Sequence, residues 1–227
     1  MAYMLSRLLA QALFSVFGSL HILYRERTKL PGGYILAANH ISHFDPPLIG
    51  IAARRKVDWM AMIELFEMPL VGSWLRAIGS FPTDRAQVDR AAVRTALARL
   101  KQRHVVGMFP EGGIRDGPTS VLEGAPLKPG VESLAQLAGV PVLPCVILGS
   151  DRLYDLKRWR SFRRTPVWMI FGKAIVPPGN LDKNATREWI VSELAIAFRS
   201  LFVELSEAFA LTPEDLPQPP ARRKGRQ

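Results

Sequence analysis

Short apolar runs separated by helical stretches constrain this chain more than anything else in it. The runs are Tyr34–Ala38, Val57–Met62, 104–109, 140–148 and 167–171, with a shorter candidate at 79–82. Each is only a few residues long, too short for a buried helix and about right for a buried strand. Between them lie segments with helical signals. Pro46 and Pro47 open a short apolar stretch ending near Arg54, and 64–77 reads as helical despite Pro69. Residues 86–103 set Val88, Ala92, Val93, Ala96, Leu97 and Leu100 on one face, with arginines elsewhere. Val131–Ala138 is a helix that Gly139 closes, and 183–210 is a long final helix. Helices alternating with buried strands predict a single α/β domain with a mixed, largely parallel sheet flanked by helices. Pro141 and Pro144 argue against an ordinary central strand at 140–148.

The N-terminus adds an element that the alternation does not explain. Residues 8–24 contain no formal charge. As a helix they would span about 25 Å, short of a ~30 Å hydrocarbon core. The reading preferred is an apolar helix that lies in or dips into one leaflet; a core helix and a full span are the alternatives. Arg25, Arg27 and Lys29 follow at once, as on a cytosolic, lipid-facing flank. Cys145 is the single cysteine, so no intrachain disulfide or cysteine-rich metal site forms, which fits a reducing compartment. The expected organisation is a membrane-associating segment over 1–29, a catalytic domain over 30–211, and a disordered basic tail over 212–227. A net charge of +10 favours an anionic partner: a bilayer, a phosphorylated substrate or nucleic acid.

Four segments carry candidate chemistry. In the first, a strand ends at Asn39-His40 and a helix begins after Asp45. On a regular helix His40 and Asp45 would point about 140° apart. A turn between strand and helix can bring them together, so that Asp45 orients the imidazole and the other ring nitrogen takes a proton. The alternatives are Asp45 as a helix cap before Pro46 and His43 as the base. The second segment, Gly79 to Arg85, ends in a charged pair whose Arg85 suits a phosphate. In the third, Phe109-Pro110-Glu111-Gly112-Gly113, a buried run stops and presents a carboxylate. Its two glycines allow close backbone approach to a ligand. Glu111 would bind a substrate hydroxyl or order Arg85. The fourth is Val140-Pro141 with Pro144. Residues 152–164 add arginines interleaved with Tyr154, Trp159 and Phe162, a mixture suited to a lipid surface or to donor phosphates. No nucleic-acid motif accompanies them, and no nucleic-acid partner is expected.

In this order the four segments resemble the lysophosphatidic acid acyltransferase-like family of glycerolipid acyltransferases, over roughly 30–175. Asn39, His40 and Asp45 match its Asn-His-x4-Asp block. Gly79, Phe81 and Arg85 match the second block, Phe109 to Gly112 its Phe-Pro-Glu-Gly, and Val140, Pro141 and Pro144 the fourth. The resemblance implies that His40 deprotonates an acceptor hydroxyl and that Asp45 orients it. The hydroxyl then attacks the thioester of acyl-CoA or acyl-carrier protein. Arg85, Glu111, Gly112 and Gly113 would hold a lysophospholipid acceptor. The thioester is a co-substrate; no metal or tightly held cofactor is implied. The family's apolar N-terminal element implies membrane lipids as partners and a place at the cytoplasmic face.

This chain departs from the pattern twice. Gly113-Ile114-Arg115 stands where many members have threonine and then Arg-Ser. Met62-Ile63-Glu64 stands where many carry a lysine before a Leu-Phe pair. The departures leave two rivals, a lipid-binding scaffold without catalysis and a thioesterase that uses water.

Overall fold

The computed structural model describes residues 1–86, 89–160 and 163–217. Val88, Phe162 and the tail from 218 on lie outside the described residues. The elements are α1 (Ala2–Phe17), β1 (Gly18–Leu23), β2 (Tyr34–Ala38), α2 (Asp45–Ala52), β3 (Val57–Met62), α3 (Glu64–Glu67), α4 (Pro69–Ile78) and β4 (Phe81–Thr83). They continue with α5 (Arg90–Lys101), β5 (Val105–Met108), α6 (Val131–Ala138), β6 (Val142–Leu148), α7 (Leu156–Arg160), β7 (Thr165–Phe171) and α8 (Lys183–Ala208).

The strands form one seven-stranded sheet in the order β1-β7-β6-β2-β5-β3-β4. Every neighbouring pair is parallel except β6 and β7. All five residues of β2 are buried. Ile35 and Ala37 point into a core shared with α5, α6 and α8, while Tyr34, Leu36 and Ala38 join a second core with α1 and α2. A strand covered on both faces needs apolar side chains at every position, which is why it reads as an unbroken run. The mixed, mostly parallel α/β domain expected from the alternation is the architecture found. β2 lies between β5, to which the chain later returns, and β6, which extends the sheet the other way. Such a switch point opens a crevice at the carboxyl end of the strand.

Several expectations are corrected. The uncharged run 8–24 is not one helix. α1 stops at Phe17, Gly18 is extended, and β1 pairs in parallel with β7 from Gly18 to Leu23. The catalytic domain therefore takes in β1 as its edge strand, and the boundary at residue 30 falls inside the fold. No described helix is long and apolar enough to cross a membrane. Arg25 and Arg27 are not a lipid-facing flank. Arg25 donates to the Ile51 and Ala52 carbonyls, Arg7 to those of Ile51 and Ala53, and Arg27 to that of Phe171. The carbonyls at the end of α2 lack intrahelical partners, and guanidinium groups satisfy both the bonds and the helix dipole.

β6 is an internal strand despite its prolines. Pro144 pairs in register with Ala37, and its carbonyl accepts from the Gly172 N–H where the β7 ladder begins, so no ladder donor is missed there. Pro69 splits the helix expected at 64–77 into α3 and α4. α5 begins at Arg90, capped by the Asp89 carboxylate on the Ala91 and Ala92 N–H groups. The tail does not begin at 212. Asp215 accepts from Thr212 and pairs with Arg152 at 3.1 Å, which folds 212–217 onto the body.

Candidate active site

The site forms where β2 and β5 end side by side. His40 leaves the end of β2, and Asp45 opens α2 five residues later. The turn between them brings the pair together, His40 Nδ1 lying 2.8 Å from Asp45 Oδ2. The same oxygen accepts from the Ile41 and Ser42 N–H groups, each at 2.8 Å. The Ser150 hydroxyl, just beyond β6, donates to Oδ1. Asp45 is fully buried and turns its carboxylate backwards onto the loop. It makes no capping bond to α2, so the helix-cap alternative does not hold. A carboxylate only accepts, so Nδ1 carries the hydrogen, and in the neutral imidazole Nε2 then has the lone pair. No described residue bonds Nε2, and the His40 side chain is 15% exposed.

The imidazole is also held by its backbone and its face. The His40 N–H donates to Glu111 Oε2, and its carbonyl accepts from the Arg115 N–H at 2.8 Å. The ring stacks on Phe109 with centroids 4.0 Å apart, and Phe109 stacks on Trp59 at 4.7 Å. Gly107 makes this stack possible. Trp59 pairs with it across β3 and β5, and a Cβ there would come within 2.5 Å of the indole.

Glu111 is turned inward. Its Oε1 accepts from the Ser120 hydroxyl at 2.8 Å and the Val121 N–H at 2.9 Å, and the residue is 3% exposed. Burial raises its carboxyl above the usual range, against the bonds from His40, Val121 and Ser120. Glu111 does not order Arg85, which bonds the Gly112 carbonyl. Its carboxylate fixes the backbone of His40 and the loop at 120–121.

Arg85 lies at the rim instead. It donates to the Gly112 carbonyl at 2.8 Å and contacts Met62 Sδ at 3.1 Å. Gly112 has φ of +66°, a left-handed turn, and Lys128 lies beside it. A Cβ on Gly113 would lie 3.9 Å from Arg85 Nη1, so both glycines share the rim. His43, the rival base, bonds the Tyr154 hydroxyl rather than a carboxylate. Sequence reasoning gave no role to Ser150 or Ser120, placed Tyr154 only in a lipid-facing or donor-facing stretch, and gave no role to the Asn39 side chain. That amide exchanges two hydrogen bonds with the Ile147 backbone, at 2.8 and 2.9 Å, and ties the end of β2 to β6.

A family model described as acyltransferase matches residues 21–148, more than half of the chain. The chain belongs to the acyltransferase family. Within that family it is similar to the 1-acyl-sn-glycerol-3-phosphate acyltransferase of Bacillus subtilis, 26% identical over 166 residues, or 73% of this chain and 78% of the relative. The enzyme of the same name from Streptococcus pneumoniae is 31% identical over 169 residues, 72% of this chain but 58% of its own length. Among solved structures, the 1-acyl-sn-glycerophosphate (LPA) acyltransferase PlsC from Thermotoga maritima shares the fold, with a TM-score of 0.66. That match is 24% identical and covers 88% of this chain and 79% of the other. This acyltransferase is thus an O-acyltransferase of the lysophosphatidic acid acyltransferase-like group, not a scaffold without catalysis.

Proposed function

We propose that this acyltransferase moves a fatty acyl group from acyl-CoA or acyl-carrier protein to the hydroxyl of a lysophospholipid acceptor of the 1-acylglycerol-3-phosphate type. The 2.8 Å contact between His40 and Asp45, with Nε2 left open, carries the reading. Nε2 takes the proton of the acceptor hydroxyl as its oxygen bonds to the thioester carbonyl carbon. The C–S bond then breaks, and the thiol leaves with the proton that His40 held. Asp45 stabilises the imidazolium in between. Glu111 acts through position: it sets where the His40 backbone sits. Arg85 and the Gly112–Gly113 turn hold the acceptor phosphate. Arg85 already lies against that turn, and a guanidinium suits paired phosphate oxygens.

The same reading sets the enzyme on the cytoplasmic face of a membrane through α1. This helix is amphipathic in the inverse sense. Tyr3, Arg7, Ala10 and Phe14 turn toward the body, while Met4, Leu5, Leu8, Leu9, Leu13 and Val16 are exposed. A continuous apolar stripe open to water marks an interaction surface.

The test is thiol release from acyl-CoA with and without 1-acylglycerol-3-phosphate. Release that depends on the acceptor supports transfer; equal release without it makes the enzyme a hydrolase. His40→Ala is expected to abolish turnover in a protein that still melts cooperatively, and a near-normal rate would remove the mechanism.

A further inference from the structure

The exposed apolar surface does not end with α1. On α4, Leu70 and Trp74 stand one turn apart on the face opposite buried Gly72 and Leu75. Leu70 is 87% exposed, and Met68 just before the helix is also exposed. The Trp74 indole N–H donates to Ser6 Oγ of α1 at 2.9 Å, so the two helices lie side by side as one surface. At the other end of α1, Phe17 stacks on Trp159 of α7 with centroids 4.6 Å apart. That contact brings the exposed cations Lys157 and Arg160 to the border of the apolar stripe. Arg164 donates to the Gly18 carbonyl at 3.0 Å, at the same border.

We propose that α4 is a second membrane-docking element. In this arrangement α1 and α4 enter the apolar edge of an anionic bilayer together, and the basic segment around α7 meets the headgroups. The inference rests on the membrane reading of α1 and extends it. An apolar centre with cations along one border complements an anionic lipid surface, which attracts nearby lysine and arginine side chains. Glu64 and Glu67 are exposed on α3 and stay in water, so the docking face stops at the start of α4. The placement has a consequence for catalysis. Ile63, also exposed, follows Met62, whose sulfur touches Arg85 at the rim of the His40 site. Docking through α4 therefore holds that rim near the bilayer, with only α3 between them in the chain.

Cys145 is the single cysteine and is fully buried, which makes a site-specific test clean. A polarity-sensitive thiol dye is placed at Leu70→Cys and, as a control, at Val203→Cys on the exposed face of α8. Vesicles of equal parts phosphatidylglycerol and phosphatidylcholine are then added. The expected result is a blue shift at position 70 and none at 203. Leu70→Glu should weaken partitioning at least roughly tenfold, from the apolar transfer of one leucine. Its turnover with a short-chain, water-soluble acceptor should be unchanged. Vesicle binding with the position-70 dye still in water overturns the role of α4 and leaves that of α1 standing. Absence of vesicle binding by the wild-type protein overturns both. A blue shift that grows with protein concentration without vesicles also overturns the proposal, because a second copy then covers the face.

Discussion

Asp45→Asn separates catalysis from stability at one atom. Oδ2 accepts three N–H groups, from His40, Ile41 and Ser42, each at 2.8 Å. An asparagine can put its carbonyl oxygen there and keep all three. Its amide then faces the Ser150 hydroxyl, which can rotate from donor to acceptor. The three N–H groups keep their acceptor and only the second hydrogen of the buried amide is left without one, so the loss of stability should be about 1–3 kcal/mol. The rate has no such refuge. When His40 takes the acceptor proton, the imidazolium lies next to a full negative charge in the wild type and next to a neutral amide in the variant. At a charge separation of about 4 Å and an effective dielectric of about 20, that charge is worth roughly 4 kcal/mol. With the proton only partly transferred in the transition state, the rate should fall by about 10- to 10³-fold. The assay is acceptor-dependent thiol release per folded molecule, run beside urea unfolding. A large fall in stability with an unchanged rate per folded molecule would refute the reasoning and make Asp45 a structural residue.

Glu111→Gln must leave one buried N–H without an acceptor, because His40 and Val121 donate to opposite oxygens. Urea unfolding should show a loss of about 1–3 kcal/mol, with kcat falling more than KM rises; an unchanged kcat would detach Glu111 from the base. Leu8→Ser/Leu9→Ser should release the protein from anionic vesicles, as read by flotation, without lowering its melting temperature. Deletion through residue 24 would not test this, since it removes β1 from the sheet. Buried Asp58 is the acceptor for Lys56 at 2.9 Å, Arg99 at 2.6 Å and His104 at 2.8 Å. Burial opposes its ionisation, but the bonds from Lys56, His104 and Arg99 outweigh it and hold the carboxyl below its usual range. The stability it contributes is full above the unfolded carboxylate value and is lost as pH falls through the lower folded one. Wild type should thus lose its advantage over Asp58→Asn on acidification, and parallel urea midpoints from neutral to acid pH would contradict this.

The strands were legible where burial on both faces left a mark. β2, β3 and α6 begin and end where the sequence pattern puts them: Gly33 and Asn39 bound β2, Lys56 opens β3, and Gly130 and Gly139 bound α6. β1 was not legible. Ser19 and His21 look like flaws in a helix until β7 is beside them, and the single boundary signal is Gly18. His40 and Asp45 were legible because both belong to one turn. Ser150 reaches Asp45 from 105 positions away, and only the sheet brings them together. A signal for it did exist: a hydroxyl placed directly after a buried run, in a fold whose ligands gather at the carboxyl ends of strands. The inward turn of Glu111 left no such signal, since a carboxylate followed by two glycines looks the same whether it faces solvent or the loop behind it.

Two buried carboxylates act on one histidine by different routes, and the division follows from what each can reach. Asp45 comes from the same turn and meets the ring. Glu111 comes from the neighbouring strand and meets the backbone. With Phe109 beneath the ring and the Arg115 N–H on the carbonyl, His40 is held from four directions, and Nε2 is left open among the described residues. Preorganisation of this kind matters most for an enzyme that activates a weak nucleophile with no covalent intermediate of its own, because the acceptor oxygen, the base and the thioester carbon must align at once. The departures at Met62 and Gly113 fall on the rim with Arg85, outside the bonds that fix His40, so under the proposed function a change of acceptor headgroup need not disturb the proton transfer.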